Sequence, residues 1–150
     1  MDNTFIKPMR AQKEIVVKPG FGEQAPLEFK GEGNESSWYP SSNLIVKLKE
    51  EKHGKFKRDG DNLSYTHKCS LLDALESKPF ELYTLDKRQL IISVDEVISP
   101  KTVKKVEGEG MPMVSEEKKG DLFIRFNIVF PEFVPEESKV LLKNALMASE

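Results

Sequence analysis

Val17-Lys18-Pro19-Gly20, Phe29-Lys30-Gly31-Glu32-Gly33 and Asn43-Leu44-Ile45-Val46 recur in the same order as Ile98-Ser99-Pro100-Lys101, Val106-Glu107-Gly108-Glu109-Gly110 and Asp121-Leu122-Phe123-Ile124. From Gly31 to Gly108 is 77 positions and from Leu44 to Leu122 is 78, so two related units follow one another along the chain. Self-similarity at a long, fixed spacing is the mark of a duplicated supersecondary unit. It predicts two small tandem β-domains, with a boundary near residues 53–59.

The apolar pattern around these motifs is short and of period two, as expected for strands with one face buried. Segments 14–18, 43–49, 62–69, 79–85, 88–94, 102–106 and 121–130 are rich in Val, Ile, Leu, Phe and Tyr and are bounded by Gly, Pro, Asp or Asn. In the clearest of them, Leu122, Ile124, Phe126, Ile128 and Phe130 fall on one face. Pro19-Gly20, Asp59-Gly60-Asp61-Asn62, Asp86-Lys87 and Ser99-Pro100 supply turns. The fold class is therefore mainly β: two tandem sandwich-like domains, residues 1–56 and 57–134, followed by a helix at 135–150.

Only two segments read as helical. Residues 71–76 follow Ser70, a suitable N-cap, with Asp73 at the third helical position. Residues 135–149 start at a proline, carry Glu136 and Glu137 in the first turn, and place Leu141, Leu142, Ala145 and Leu146 in a stripe that predicts a pairing surface.

The two copies are unequal. About 40 residues of strand, helix and strand precede Pro100 in the second, whereas 18 precede Pro19 in the first. The first domain is expected to lack its opening elements, and a sheet edge left unpaired by that lack is a place for an added strand.

Composition narrows the function. Hydrophobic residues make up 38% and charged residues 32%, and 23 basic against 25 acidic residues leave a net charge of −2. No positive field draws nucleic acid. Cys69 stands alone, with His53 and His67 the sole histidines, so an internal disulfide is excluded and a four-ligand zinc site is short of donors. No stretch reaches the roughly 18 apolar residues of a membrane span. A reducing, cytosolic setting is expected, with neither cofactor nor metal.

Candidate chemistry is sparse. His67-Lys68-Cys69 puts imidazole and thiol on one strand face, the spacing of a nucleophilic dyad, yet no orienting third residue accompanies them. Asp59-Gly60-Asp61-Asn62 resembles the start of a calcium loop, but Ser70 stands where a bidentate Glu is needed. The Gly-Glu-Gly triplets lack the spacing and following helix of a phosphate cradle and read as turn glycines. The basic run at 52–58 is flanked by Glu50, Glu51, Asp59 and Asp61, which makes it a solvated connector. No enzyme emerges.

Taken together, Val17 to Phe21, Phe29 to Gly33, Lys52-His53-Gly54-Lys55-Phe56-Lys57-Arg58-Asp59-Gly60-Asp61-Asn62-Leu63, Ser70-Leu71-Leu72-Asp73-Ala74-Leu75, Thr84-Leu85-Asp86, Gly108-Glu109-Gly110-Met111-Pro112 and Lys119 to Ile124 resemble the C-terminal region of class B J-domain proteins of the DnaJ family. The resemblance runs in order from about Lys13 over nearly the whole chain. It implies two β-domains, a short helix in the second, and a C-terminal helix that pairs protomers into a homodimer or a J-protein heterodimer, through Val140, Leu141, Leu142, Ala145 and Leu146. It also implies binding of extended, partly unfolded polypeptide clients at an apolar groove of the first domain and their transfer to a DnaK-type chaperone. Val46 matches a groove position, Leu44 and Leu48 share its face, and Phe5 and Ile6 are expected opposite.

Three departures qualify the likeness. No His-Pro-Asp motif occurs, so stimulation of a partner's ATP hydrolysis is not implied. Asp86-Lys87-Arg88 replaces the usual Asp-Gly-Arg, predicting a looser hairpin turn. Val134 stands where a Ser or Thr cap is common. The pattern from Pro100 to Ile124 also resembles the ciliary member of the family found in axonemal radial spokes, which carries a second expectation: a structural dimeric adaptor of the axoneme.

Overall fold

The computed structural model describes residues 10–35 and 38–149, and the chain divides between Lys49 and Glu50 into two units. The chain is mainly β, with eight strands and two helices among these residues.

In the first unit, β1 (Leu27–Phe29) and β2 (Leu44–Val46) form an antiparallel ribbon, Leu27 facing Val46 and Phe29 facing Leu44. The expected strand at 14–18 does not form. Val16 and Val17 are 70% and 60% exposed and, among the described residues, no strand pairs with them. A strand needs a neighbour to satisfy its backbone groups, and apolar composition alone does not supply one. The segment runs instead into a turn in which the Phe21 amide donates to the Lys18 carbonyl at 3.2 Å. Pro19 fits its second position, and Gly20, at φ 91°, adopts the positive φ of the third.

The second unit is built on a four-stranded sheet. β3 (Phe56–Asp59), β4 (Asn62–Ser70), β7 (Val103–Val106) and β8 (Leu122–Val129) lie in the order β3-β4-β8-β7, with β4 and β8 parallel and the other pairs antiparallel. A separate hairpin of β5 (Phe80–Tyr83) and β6 (Gln89–Ile92) adds Leu82 and Ile92 to the core. The alternation read from 121–130 is reproduced: Leu122, Ile124 and Phe126 are buried at 1%, 0% and 5% exposure. Phe56 is buried in this same core, so the structural division falls before β3 and not at the expected boundary between residues 56 and 57.

Helix α1 (Leu71–Leu75) joins β4 to β5. Ser70 caps it as expected, its Oγ accepting from the Asp73 amide at 3.0 Å and donating to the Asp73 carboxylate at 2.7 Å. That Ser70 hydroxyl is the main reason the Asp73 carboxyl titrates below the usual carboxylate range. The turn around Lys87 is closed, not loose. The Thr84 amide donates to the Arg88 carbonyl at 2.9 Å, the Lys87 amide donates to the Thr84 carbonyl at 3.0 Å, and Lys87 takes φ 63°. Arg88 then forks onto Glu109 at 2.6 and 3.1 Å, tying the hairpin to the loop after β7.

Helix α2 (Glu136–Met147) follows β8. Pro135 occupies its N-cap with no side-chain bond, leaving Glu136 and Glu137 to face the positive end of the helix.

The duplication extends to single hydrogen bonds. The Gly31 amide donates to Asn43 Oδ1 at 3.1 Å, and the Gly108 amide to Asp121 Oδ1 at 3.1 Å. The Gly33 amide donates to the Ser42 carbonyl at 2.6 Å, and that of Gly110 to Gly120 at 2.8 Å. The Ser42 amide returns a bond to Asn34 at 3.1 Å, as Gly120 does to Met111 at 2.9 Å. Both Gly31 and Gly108 sit at φ 71°. Strand registers agree as well: Phe29 opposite Leu44 and Leu27 opposite Val46 repeat as Val106 opposite Leu122 and Lys104 opposite Ile124. Thus β1 corresponds to β7 and β2 to β8.

Candidate functional surfaces

The first candidate surface lies on the β1–β2 ribbon. Leu44 and Val46 point to one side of β2 because strand side chains alternate, and there they meet Phe29 and Leu27 across the pair. Leu48 lies just beyond the end of β2 and is half-buried, as are Leu44 and Val46, whereas Ile45, Lys47 and Lys49 are exposed. The three residues singled out from the sequence therefore share an apolar, incompletely covered surface. Leu27 and Phe29 belong to it too, and the sequence does not announce them: a three-residue strand containing Glu28 shows too little alternation to be read. Phe29 also carries the Lys13 ammonium over its ring, 4.6 Å from the centroid. Phe5 and Ile6 lie outside the described residues.

The second surface is in the other unit. No residue of α2 is buried, and Val140, Leu141, Leu142 and Leu146 are 60%, 70%, 43% and 56% exposed. Ala145 is exposed as well. Of these five residues, Leu142 alone lines an apolar groove of about 620 Å³, together with Leu71, Leu72 and Leu75 of α1 and Val129, Phe130 and Pro131 at the end of β8. The α1 contribution is not legible in the sequence. A five-residue helix buries Ala74 fully and must turn its larger leucines elsewhere; Leu72 is 62% exposed. The exposed helix face and the groove together present an apolar surface larger than scattered single residues would.

The His67 and Cys69 pair is structural. The His67 ring stacks on Phe80 at 3.6 Å between centroids and meets Phe126 edge-on at 6.1 Å. Desolvation lowers the imidazole's affinity for a proton, with Asp73 pulling the other way. Burial pushes the Cys69 thiol up, the opposite of what a nucleophile requires. Asp59-Gly60-Asp61-Asn62 is the tight turn between β3 and β4, with Gly60 at φ 61°.

Comparison with known proteins gives the same picture of the chain. A family model described as "DnaJ C terminal domain" matches residues 6–131, most of the chain, and ends before α2. Human "DnaJ homolog subfamily B member 13" is 40% identical over 134 residues, covering 89% of this chain and 42% of that protein. "DnaJ protein homolog 2" of Allium porrum is 37% identical over 132 residues, covering 85% and 32%, and human "DnaJ homolog subfamily B member 5" is 32% identical over 136 residues, covering 90% and 39%. The chain thus spans less than half the length of these relatives. The repeat, the glycine turns and the match over most of its length lead to one assignment: this chain belongs to the DnaJ C-terminal domain family of J-protein co-chaperones.

Proposed function

We propose that this chain binds extended, partly unfolded polypeptide through the Leu44, Val46 and Leu48 face of β2 and self-associates through α2, serving a DnaK-type chaperone. The observation that carries this reading is the exposed α2 stripe beside a groove of matching apolar character. Water-exposed leucines at helical spacing gain from burial, and a second copy offers both the groove and the stripe in a self-complementary pair. Burying four such side chains at about 1.5–3 kcal/mol each gives a gross ~6–12 kcal/mol, against an association cost of similar size. The dimer is therefore concentration-dependent.

Sedimentation tests the association. The chain is expected to approach twice its monomer mass at tens of micromolar (~10–100 µM), whereas a Leu142→Asp, Leu146→Asp variant stays monomeric; equal masses for the two refute α2 as the contact. Client binding is tested by aggregation of a heat-denatured reporter. Stoichiometric chain slows it and Val46→Asp abolishes the effect, while unchanged suppression by Val46→Asp removes β2 from the client surface.

A further inference from the structure

The Ser99-Pro100 turn before β7 shares no residue with either surface described above. Of the nine prolines in the chain, Pro100 alone follows a serine or threonine. The Thr102 amide donates to the Ser99 carbonyl at 3.0 Å, which puts Pro100 at the second position of a β-turn, where its fixed φ fits. Ser99 is exposed; its Oγ accepts from the Lys101 amide at 3.3 Å and lies 3.0 Å from Thr102 Oγ1. The turn borders a cavity of about 400 Å³, which Ser99, Thr102, Lys101 and Lys104 line together with Asp95 and Glu96. Among the described residues Lys101 and Lys104 form no ion pair, whereas the neighbouring Lys105 is bound to Asp121 at 3.0 Å.

We propose that Ser99 is the phosphoacceptor of a proline-directed protein kinase, with Lys101 and Lys104 receiving the phosphate. An exposed serine followed by proline and then by lysines offers such a kinase its recognition pattern. In the transfer, Ser99 Oγ attacks the γ-phosphorus of the kinase's magnesium-bound ATP. The bond from that phosphorus to the β,γ-bridging oxygen breaks, ADP leaves, and the hydroxyl proton passes to a carboxylate of the kinase. The product carries about −1.5 to −2 charge at neutral pH and three strong acceptor oxygens. Donors for those oxygens stand within the turn: the Lys101 amide, which already donates to Oγ, and the Thr102 hydroxyl. The Lys101 and Lys104 ammonium groups supply the opposing charge. Asp95 and Glu96 work against it, but both are exposed and neither is held in an ion pair among the described residues. Their carboxylates turn into water, where salt screens the repulsion, while the long lysine stems swing toward the phosphate. Attraction prevails, and the phosphate fastens the turn that opens β7. The proposal goes beyond client binding and self-association and does not rest on either.

The intact chain is incubated with a mitogen-activated protein kinase and magnesium-ATP, the kinase's activity being checked on a Ser-Pro peptide. Mass spectrometry is expected to find one phosphoryl group per chain, at Ser99. Ser99→Ala takes up none, and Pro100→Ala is modified at least ~10-fold more slowly while keeping the parent's circular dichroism. Phosphorus NMR then follows the titration of the phosphorylated chain. Its phosphate binds the second proton about 3–10-fold more weakly than in the Lys101→Ala, Lys104→Ala variant, because opposite charges nearby favour the dianion. No uptake by the folded chain, phosphate at another residue, equal rates with and without Pro100, or matching titrations for the parent and the lysine variant each overturns the proposal.

Discussion

Replacing Asn62 with Ala removes an acceptor at the point where the β3–β4 turn meets β8. Its Oδ1 lies 2.9 Å from the Asp121 amide, in a half-buried position linking residues 59 apart in sequence. The neighbouring bonds, Met111 to the Asp61 carbonyl and Leu63 to the Asp121 carbonyl, still hold the backbone in place. Water therefore enters poorly, and the Asp121 amide loses its partner without gaining another. A donor stranded in this way costs about 1–3 kcal/mol. For a unit of this size each kcal/mol moves the midpoint by roughly 4–8 °C, so a fall of about 4–24 °C is expected. Thermal unfolding followed by circular dichroism measures the fall, and hydrogen exchange at Asp121 locates it. Asn62→Asp keeps an acceptor at the same reach and loses less. A midpoint for Asn62→Ala within about 1 °C of the parent, well below the expected shift, or unaltered exchange at Asp121, refutes the claim that this side chain fastens the turn to the sheet.

Two further outcomes are expected. Burial lowers the His67 imidazole below its ordinary 6.5, despite the opposing pull of Asp73. Between the lowered value and 6.5 the unfolded chain binds more protons than the folded one, so stability is complete above 6.5 and is lost as the pH falls through that window. His67→Phe keeps the stack on Phe80 and flattens the dependence of the urea midpoint over about pH 5 to 7; an unchanged slope refutes the assignment. Lys87→Gly relieves a left-handed residue at about 1–2 kcal/mol and returns about 0.4–1 kcal/mol as unfolded-chain entropy. The net gain is about 0–1.6 kcal/mol, and a lower midpoint contradicts it.

The sequence is most legible where one strand alternates over a long run. Leu122, Ile124 and Phe126 announce β8 because each is buried on the same side. Ser70 and Asp73 announce α1 because capping is a local exchange of two hydrogen bonds. Phe56-Lys57-Arg58-Asp59 reads as part of a basic connector, since just one of its four side chains is buried; its strand character comes from pairing with residues 62–65, which no local pattern reports. Segment 14–18 misleads for the complementary reason. Ile15, Val16 and Val17 favour extended chain, but a strand exists only where a neighbour accepts its bonds. The candidate surfaces divide likewise: the α2 stripe is a property of one helix, whereas the groove beside it joins α1 with the end of β8, elements more than 50 residues apart.

The parallel pairing of β4 with β8 governs how the second unit matures during synthesis. Its central strand is also nearly its last, so the β3–β4 hairpin leaves the ribosome with one long flank unsatisfied and must wait for Leu122 to Val129 to arrive. Ribosomes add roughly 5–20 residues each second, which leaves that flank open for several seconds in every nascent copy. The protein is thus itself, for a time, the kind of sticky incomplete sheet that folding assistants exist to shield.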